Sequence, residues 1–156
     1  MDPALSLYEA AVIPDWIDYN GHMSEAYYVL TFGFATKAFL DHLDIGEGYR
    51  TRTANSFYTV EAHINYLREA GTWARLRFAT QLLDVDSRRI HLFHTMSNKG
   101  TGEVLATTAL LVIHVDEPPR ATPMPEDALD RLRSVHVAHG SLPKPAQAGR
   151  RIGLQD

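Results

Sequence analysis

Cysteine is absent from this 156-residue chain. That excludes a thiol nucleophile, disulfides and any zinc site built on sulfur. A basic surplus is absent too: 15 Lys and Arg stand against 19 Asp and Glu, giving a net formal charge of −4. Without a basic footprint there is no electrostatic ground for a nucleic-acid partner. No apolar run approaches the roughly 18 residues that cross a bilayer. Met1-Asp2-Pro3 opens the chain without the basic and long apolar regions of a secretory leader. The expectation is a cytoplasmic protein with no membrane partner. Neither a P-loop nor a dinucleotide-binding glycine pattern occurs, so no bound cofactor is expected.

What is present suits a soluble globular fold. Apolar residues make up 45% of the chain and charged residues 22%, enough for one sizeable core. Leu5 to Ile13 reads as a strand stopped by Pro14. Ser24 or a neighbour caps a helix running to about His42. Its apolar residues fall on two stripes, Tyr27-Leu30-Phe34-Ala38 and Phe32-Ala35-Phe39-Leu43, so the helix is expected to be buried nearly all round. Asp44 to Asn55 reads as a loop. Ser56 to Leu67 alternates, with Tyr58, Val60, Ala62, Ile64 and Tyr66 on one face and Thr59, Glu61, His63 and Asn65 on the other.

Three further strands are expected over Trp73 to Leu83, Arg89 to Met96 and Glu103 to Val115, the last apolar on both faces and therefore central. Strand, helix and a four-strand antiparallel meander make an α+β domain over residues 1–117. Residues 118–156 read as an extension with a short helix, Glu126 to Val137, and a tail carrying Lys144, Arg150 and Arg151.

The chemistry concentrates in Trp16-Ile17-Asp18-Tyr19-Asn20-Gly21-His22-Met23-Ser24. A carboxylate, a carboxamide and an imidazole alternate around one flexible glycine, and the long apolar helix begins at once. Such a helix terminus offers unpaired N–H groups and a positive dipole end, a natural place for developing negative charge. Asp, Asn and Gly are equally ordinary turn and cap residues.

Asp18-x-Asn20-x-His22 followed by Tyr27 resembles the active-site segment of hotdog-fold acyl-CoA thioesterases, the 4-hydroxybenzoyl-CoA thioesterase-like superfamily. Thr59-Val60-Glu61-Ala62-His63-Ile64, Arg89-Ile90-His91-Leu92-Phe93-His94 and Gly149-Arg150-Arg151-Ile152-Gly153-Leu154 resemble, more closely, betainyl-CoA thioesterases of bacterial carnitine breakdown. Ser24 stands where the wider family commonly has Asn.

The resemblance implies a hotdog fold, with the sheet wrapped around the helix. It implies a homodimer or homotetramer with sites where two chains meet, and an acyl-CoA substrate whose coenzyme A is no separate cofactor. Asp18 is implied as general base or nucleophile, with Asn20 and His22 orienting it or a water. Backbone N–H groups from Gly21 to Met23 are implied to hold the oxyanion.

Glu61 is a further catalytic candidate, and Glu69 its rival. Trp16, Gly21, Met23, Tyr27 and Tyr58 are candidate substrate contacts. Trp16, Tyr19, Tyr27 and Tyr28, with Phe57, Tyr58, Tyr66 and Trp73 from the sheet, are aromatics available either for core packing or for a box around a quaternary ammonium group. Arg68, Arg75, Arg77, Arg88 and Arg89 are candidates for the phosphates of coenzyme A. His91 and His94, three apart on a strand, point to opposite faces, so no metal is expected there. The alternatives are a non-catalytic acyl-CoA-binding protein, a thioesterase for another short or aromatic acyl-CoA, or a hotdog dehydratase. The dehydratase would need a Gly-His-Phe-Pro-like segment, and Gly21-His22-Met23-Ser24 lacks the Phe-Pro.

Overall fold

A computed structural model describes residues 4–154; the opening Met1-Asp2-Pro3 and the end of the tail lie outside them. Five strands form one antiparallel sheet: β1 (Leu5–Ala11), β2 (Ser56–Tyr66), β3 (Arg75–Val85), β4 (Arg89–Asn98) and β5 (Val104–Val115). Three helices complete the fold: α1 (Glu25–His42), α2 (Glu47–Thr53) and α3 (Glu126–His139). The α+β class stands as expected.

The strand order is β1-β3-β4-β5-β2, so the expected four-strand meander holds only for β3, β4 and β5. β2 pairs with β5, from Ser56↔Val115 to Tyr66↔Ala106, and β4 rather than β5 is the central strand. The stretch 67–74 carries the chain back across the sheet. Its backbone is anchored at both ends: Leu67 and Arg68 N–H both donate to Leu105 O, and Trp73 N–H donates to Val12 O at 2.7 Å. β2 is left as a sheet edge, with Tyr58, Val60 and Tyr66 45%, 54% and 46% exposed.

A β-bulge interrupts β2 between Thr59 and Glu61. Thr59 pairs with Val112 and Glu61 with Leu111, so Val60 is the extra residue and the alternation changes phase there. Phe57, Thr59, Ala62, Ile64 and Tyr66 share the face that carries α1. Tyr58 opposes Ile113 on the other face, together with Glu61 and His63. The expectation that Tyr58 and Tyr66 share a face is corrected by that one residue.

Only one stripe of α1 is buried: Tyr28, Thr31, Phe32, Ala35, Thr36, Phe39 and Leu40. The i, i+3, i+4 spacing turns these side chains onto the sheet. Val29 and Leu30 are 51% and 40% exposed, so the helix is not buried all round. It ends in a Schellman motif: Asp44 takes the left-handed position at φ 58, and Ile45 N–H reaches back to Leu40 O at 2.9 Å. Ile45 itself is buried at 1%.

The expected loop after α1 contains α2. Gly46 and Gly48 hide it by depressing helix propensity. Tertiary contact supplies what propensity lacks: buried Tyr49 donates its hydroxyl to His114 Nε2 at 2.8 Å, because His114 Nδ1–H is given to Thr122 O.

His94 is wholly buried under α1. Thr36 donates its hydroxyl to Phe32 O, so His94 Nε2–H donates to Thr36 Oγ1 and Nδ1 accepts from Thr80. Burial lowers the imidazole pKa to about 3, and the ring is neutral. His91 lies on the other face of β4, as the strand period requires.

α3 buries Leu129, and places Ala128 and Leu132 in the same core as Phe39, Leu82 and Ile90. It also covers the half of β3 that β1 leaves unpaired. Leu82 N–H donates to His139 Nδ1 at 2.8 Å, and His136 Nε2 donates to Leu83 O at 3.1 Å. Beyond it the tail crosses to the outer face, where Gln81 meets Pro143 O. No helix among the described residues is long and apolar enough to cross a membrane.

Candidate active site

The segment 16–24 is a small hairpin held by its backbone. Ile17 and Met23 bridge, Asp18 N–H donates to His22 O at 3.1 Å, and Gly21 N–H donates to Asp18 O at 2.9 Å. Gly21 has φ +81, the left-handed residue that closes a three-residue hairpin loop and that suits glycine. Asp18 Oδ1 accepts the Asn20 N–H at 2.8 Å, which points the half-buried carboxylate along the turn. The loop is fastened from outside as well. Met23 N–H donates to Ala70 O at 2.8 Å, and Ser24 N–H to Trp16 O at 2.9 Å.

An open cleft of about 610 Å³ lies between this hairpin, the start of α1 and the crossover after β2. Asp18, Asn20, His22 and Met23 line it, and with them Glu25, Tyr28, Tyr66, Arg68 and Glu69. The backbone, not the side chains of Asn20 and His22, orients Asp18: neither side chain bonds to it, and both residues are exposed. Of the N–H groups expected for an oxyanion, Gly21 to Met23, only that of His22 has no acceptor among the described residues. Gly21 and Met23 N–H are already committed. The N–H groups of His22, Glu25 and Ala26 donate to no partner among the described residues, and the last two open the N-terminus of α1. Ser24 takes the N-cap position with no side-chain cap bond.

Of the other expected contacts, Trp16 and Tyr27 stack on each other at 5.3 Å and pack against the core instead of lining the cleft. Tyr58 faces the opposite side of the sheet. Glu61 lies there too, in a second cleft of about 490 Å³ with His63, Asp84, His91, Arg89, Arg150 and Arg151. The bulge that could have turned Glu61 inward turned Tyr58 outward.

Glu25 was not singled out among the candidate site residues, although it directly follows the motif. Tyr28 and Tyr66 belong to the aromatic group expected near the site, and both line this cleft. Tyr28 and Tyr66 meet edge to face, with centroids 5.2 Å apart, and Tyr28 donates its hydroxyl to Arg68 O at 3.0 Å. Burial raises both hydroxyl pKa values; the charge of Glu25 adds to the effect on Tyr66, and that of Glu69 to the effect on Tyr28.

The arginines expected to meet phosphates are dispersed. Arg68 pairs with Glu103 at 3.5 Å, Arg89 with Asp86 at 2.6 Å, and Arg77 donates to Ser6 Oγ. Arg75 and Arg88 are exposed. No group of three or more His, Asp and Glu that could hold a metal occurs among the described residues.

A five-strand antiparallel sheet wrapped on one long helix is the hotdog arrangement. The chain belongs to the Thioesterase-like superfamily, whose profile matches residues 12–132. It is 38% identical to the betainyl-CoA thioesterase of Pseudomonas aeruginosa, over 99% of this chain and 98% of that one. It is 41% identical to the L-carnitine dehydrogenase/betainyl-CoA thioesterase of Agrobacterium fabrum, covering 97% of this chain and 31% of that longer protein. A crystal structure of a protein assigned as a thioesterase from Pseudomonas putida KT2440 superposes over the whole of both chains, with a TM-score of 0.86 and 33% identity.

Proposed function

We propose that this chain hydrolyses betainyl-CoA to glycine betaine and coenzyme A, as a step of carnitine breakdown in the cytoplasm. The observation that carries the reading is the end-to-end similarity to the Pseudomonas aeruginosa enzyme. The cleft agrees with it: the Asp18 hairpin meets a helix terminus whose first N–H groups are free.

In this reading the thioester carbonyl lies between Asp18 and those N–H groups. Asp18 takes a proton from water as the water oxygen bonds to the carbonyl carbon. The developing oxyanion is held by the N–H groups of His22, Glu25 and Ala26. Collapse breaks the C–S bond, the proton passes to sulfur, and the carboxylic acid ionises. Attack by the carboxylate itself, through a mixed anhydride, is the other route; single turnover in heavy-oxygen water separates them by labelling Asp18. Asn20 and His22 contact the substrate from the exposed rim, while Gly21 and Met23 shape the hairpin. No cofactor beyond the substrate's own coenzyme A takes part.

The active assembly is a homodimer or a pair of dimers joined through β2. An eleven-residue edge strand with apolar side chains this exposed is the kind of surface that proteins cover.

A panel of acyl-CoA thioesters assayed for thiol release tests the substrate. Betainyl-CoA should give the highest kcat/KM. Equal values for betainyl-, acetyl- and a neutral branched acyl-CoA would remove the betaine assignment and leave the thioesterase one.

A further inference from the structure

The Asp18 cleft carries more negative charge and more aromatic surface than thioester hydrolysis alone requires. Three carboxylates line it, from Asp18, Glu25 and Glu69. The single arginine in the lining, Arg68, already has its guanidinium beside Glu103. Glu25 comes from the first turn of α1 and Glu69 from the crossover, so two separate elements bring charge to one space. Between them stand Tyr28 and Tyr66, rings at 77° to each other that form a corner. Both carboxylates and both rings line this one cleft.

Such a corner suits a cation without N–H donors. A quaternary ammonium cannot be fixed by hydrogen bonds, and it is weakly hydrated. It is attracted to aromatic faces and to carboxylates that need not touch it. The same walls repel an anionic acyl group and the phosphates of coenzyme A, so they also set which end of the substrate enters.

We propose that Glu25 and Glu69, with the Tyr28–Tyr66 corner, form the subsite for the cationic head of the acyl group and determine selectivity for a cationic over a neutral acyl thioester. This rests on the hydrolase reading above and assigns its specificity to residues outside the Asp-Asn-His motif.

The test compares betainyl-CoA with 3,3-dimethylbutyryl-CoA, in which carbon replaces the quaternary nitrogen at nearly equal shape. For the parent and for Glu25→Gln, Glu69→Gln and the double variant, the ratio of the two kcat/KM values is measured. The ratio should favour betainyl-CoA in the parent and fall about tenfold or more in the double variant. Tyr66→Leu should move it the same way. Tetramethylammonium should inhibit the parent competitively and lose that inhibition in the double variant, a readout independent of turnover.

A parent ratio near one overturns the subsite while thiol release from both substrates keeps the hydrolase reading. Equal losses on both substrates in the double variant also overturn it, since the carboxylates would then serve folding or chemistry instead of selectivity. If the parent cleaves neither thioester, the hydrolase reading fails. Tetramethylammonium binding by calorimetry, lost in the double variant or retained, then upholds or overturns the subsite.

Discussion

The sheet carries a cleft on each face, and the two are alike in ingredients. The inner one holds Asp18, Glu25, Glu69 and His22; the outer one holds Glu61, Asp84, Asp86, His63 and His91. They differ in their backbone. The inner cleft is bounded by a hairpin, a crossover and a helix start, where N–H groups at His22, Glu25 and Ala26 remain unspent. The floor of the outer cleft is pleated sheet, whose N–H groups serve the ladders between β3, β4 and β5. Two of its charges, Arg89 and Asp86, pair at 2.6 Å. Acyl transfer needs donors that wait for a charge not yet formed, and regular sheet has none to give. Carboxylates alone therefore do not make the site.

The largest expected effect separates the two clefts directly. Asp18→Asn should lower kcat by on the order of 10²-fold or more, while melting within a few degrees of the parent. Glu61→Gln, in the outer cleft, should leave kcat within a few-fold. A well-folded Asp18→Asn with normal turnover, checked for deamidation, would place the base elsewhere.

Next in size is the edge that borders the inner cleft. Val60→Asp puts a charge on exposed β2 and should convert the assembly to monomers at micromolar concentration by light scattering, with loss of activity. A fully active monomeric parent would end the claim that two chains are needed.

The third prediction concerns the core beneath both clefts. His94 has its pKa lowered to about 3 by burial, so the unfolded chain binds this proton more readily than the folded one. Its contribution is complete above about pH 6.5 and is lost as pH falls toward 3, by at most about 1.4 kcal/mol per pH unit. Parent and His94→Gln should therefore show Tm curves that converge on acidification. Parallel curves would mean that the imidazole is not neutral in the fold.

The smallest effect is at Gly21. Alanine meets no neighbouring atom there, but a left-handed φ costs an ordinary residue roughly 1–2 kcal/mol. Gly21→Ala should lose about that stability and a larger share of kcat, because the hairpin that aims Asp18 is what relaxes. An equal change at Gly102, φ 78 in the β4–β5 turn, should cost stability alone.

Much of this was legible in the chain. Leu76, Phe78 and Leu82 face in and Arg75 and Arg77 face out on β3 because the period of two survives in the residues. Phe32, Ala35 and Phe39 announce the buried stripe of α1 for the same kind of reason. The Asp18 segment was legible as a unit. What escaped has no local signature. Val60 extends a smooth apolar alternation, so nothing marks it as the bulge that sends Tyr58 outward. Chain order does not reveal that β2 pairs beyond β5, so the crossover that brings the candidates Tyr66, Arg68 and Glu69 beside the Asp18 hairpin was hidden. α2 was masked by its glycines, since the Tyr49–His114 contact that holds it joins residues far apart in sequence.

The crossover 67–74 deserves a last consequence. It leaves the end of β2, takes the Tyr28 hydroxyl at Arg68 O and the Met23 N–H at Ala70 O, and only then turns into β3. One short strap thus ties the strand proposed as the seam to the loop that aims the carboxylate. If β2 is that seam, loosening it loosens the Asp18 loop, and specific activity becomes a gauge of how much of the enzyme is present. Diluted below its dissociation constant, the protein would fall silent before it unfolds.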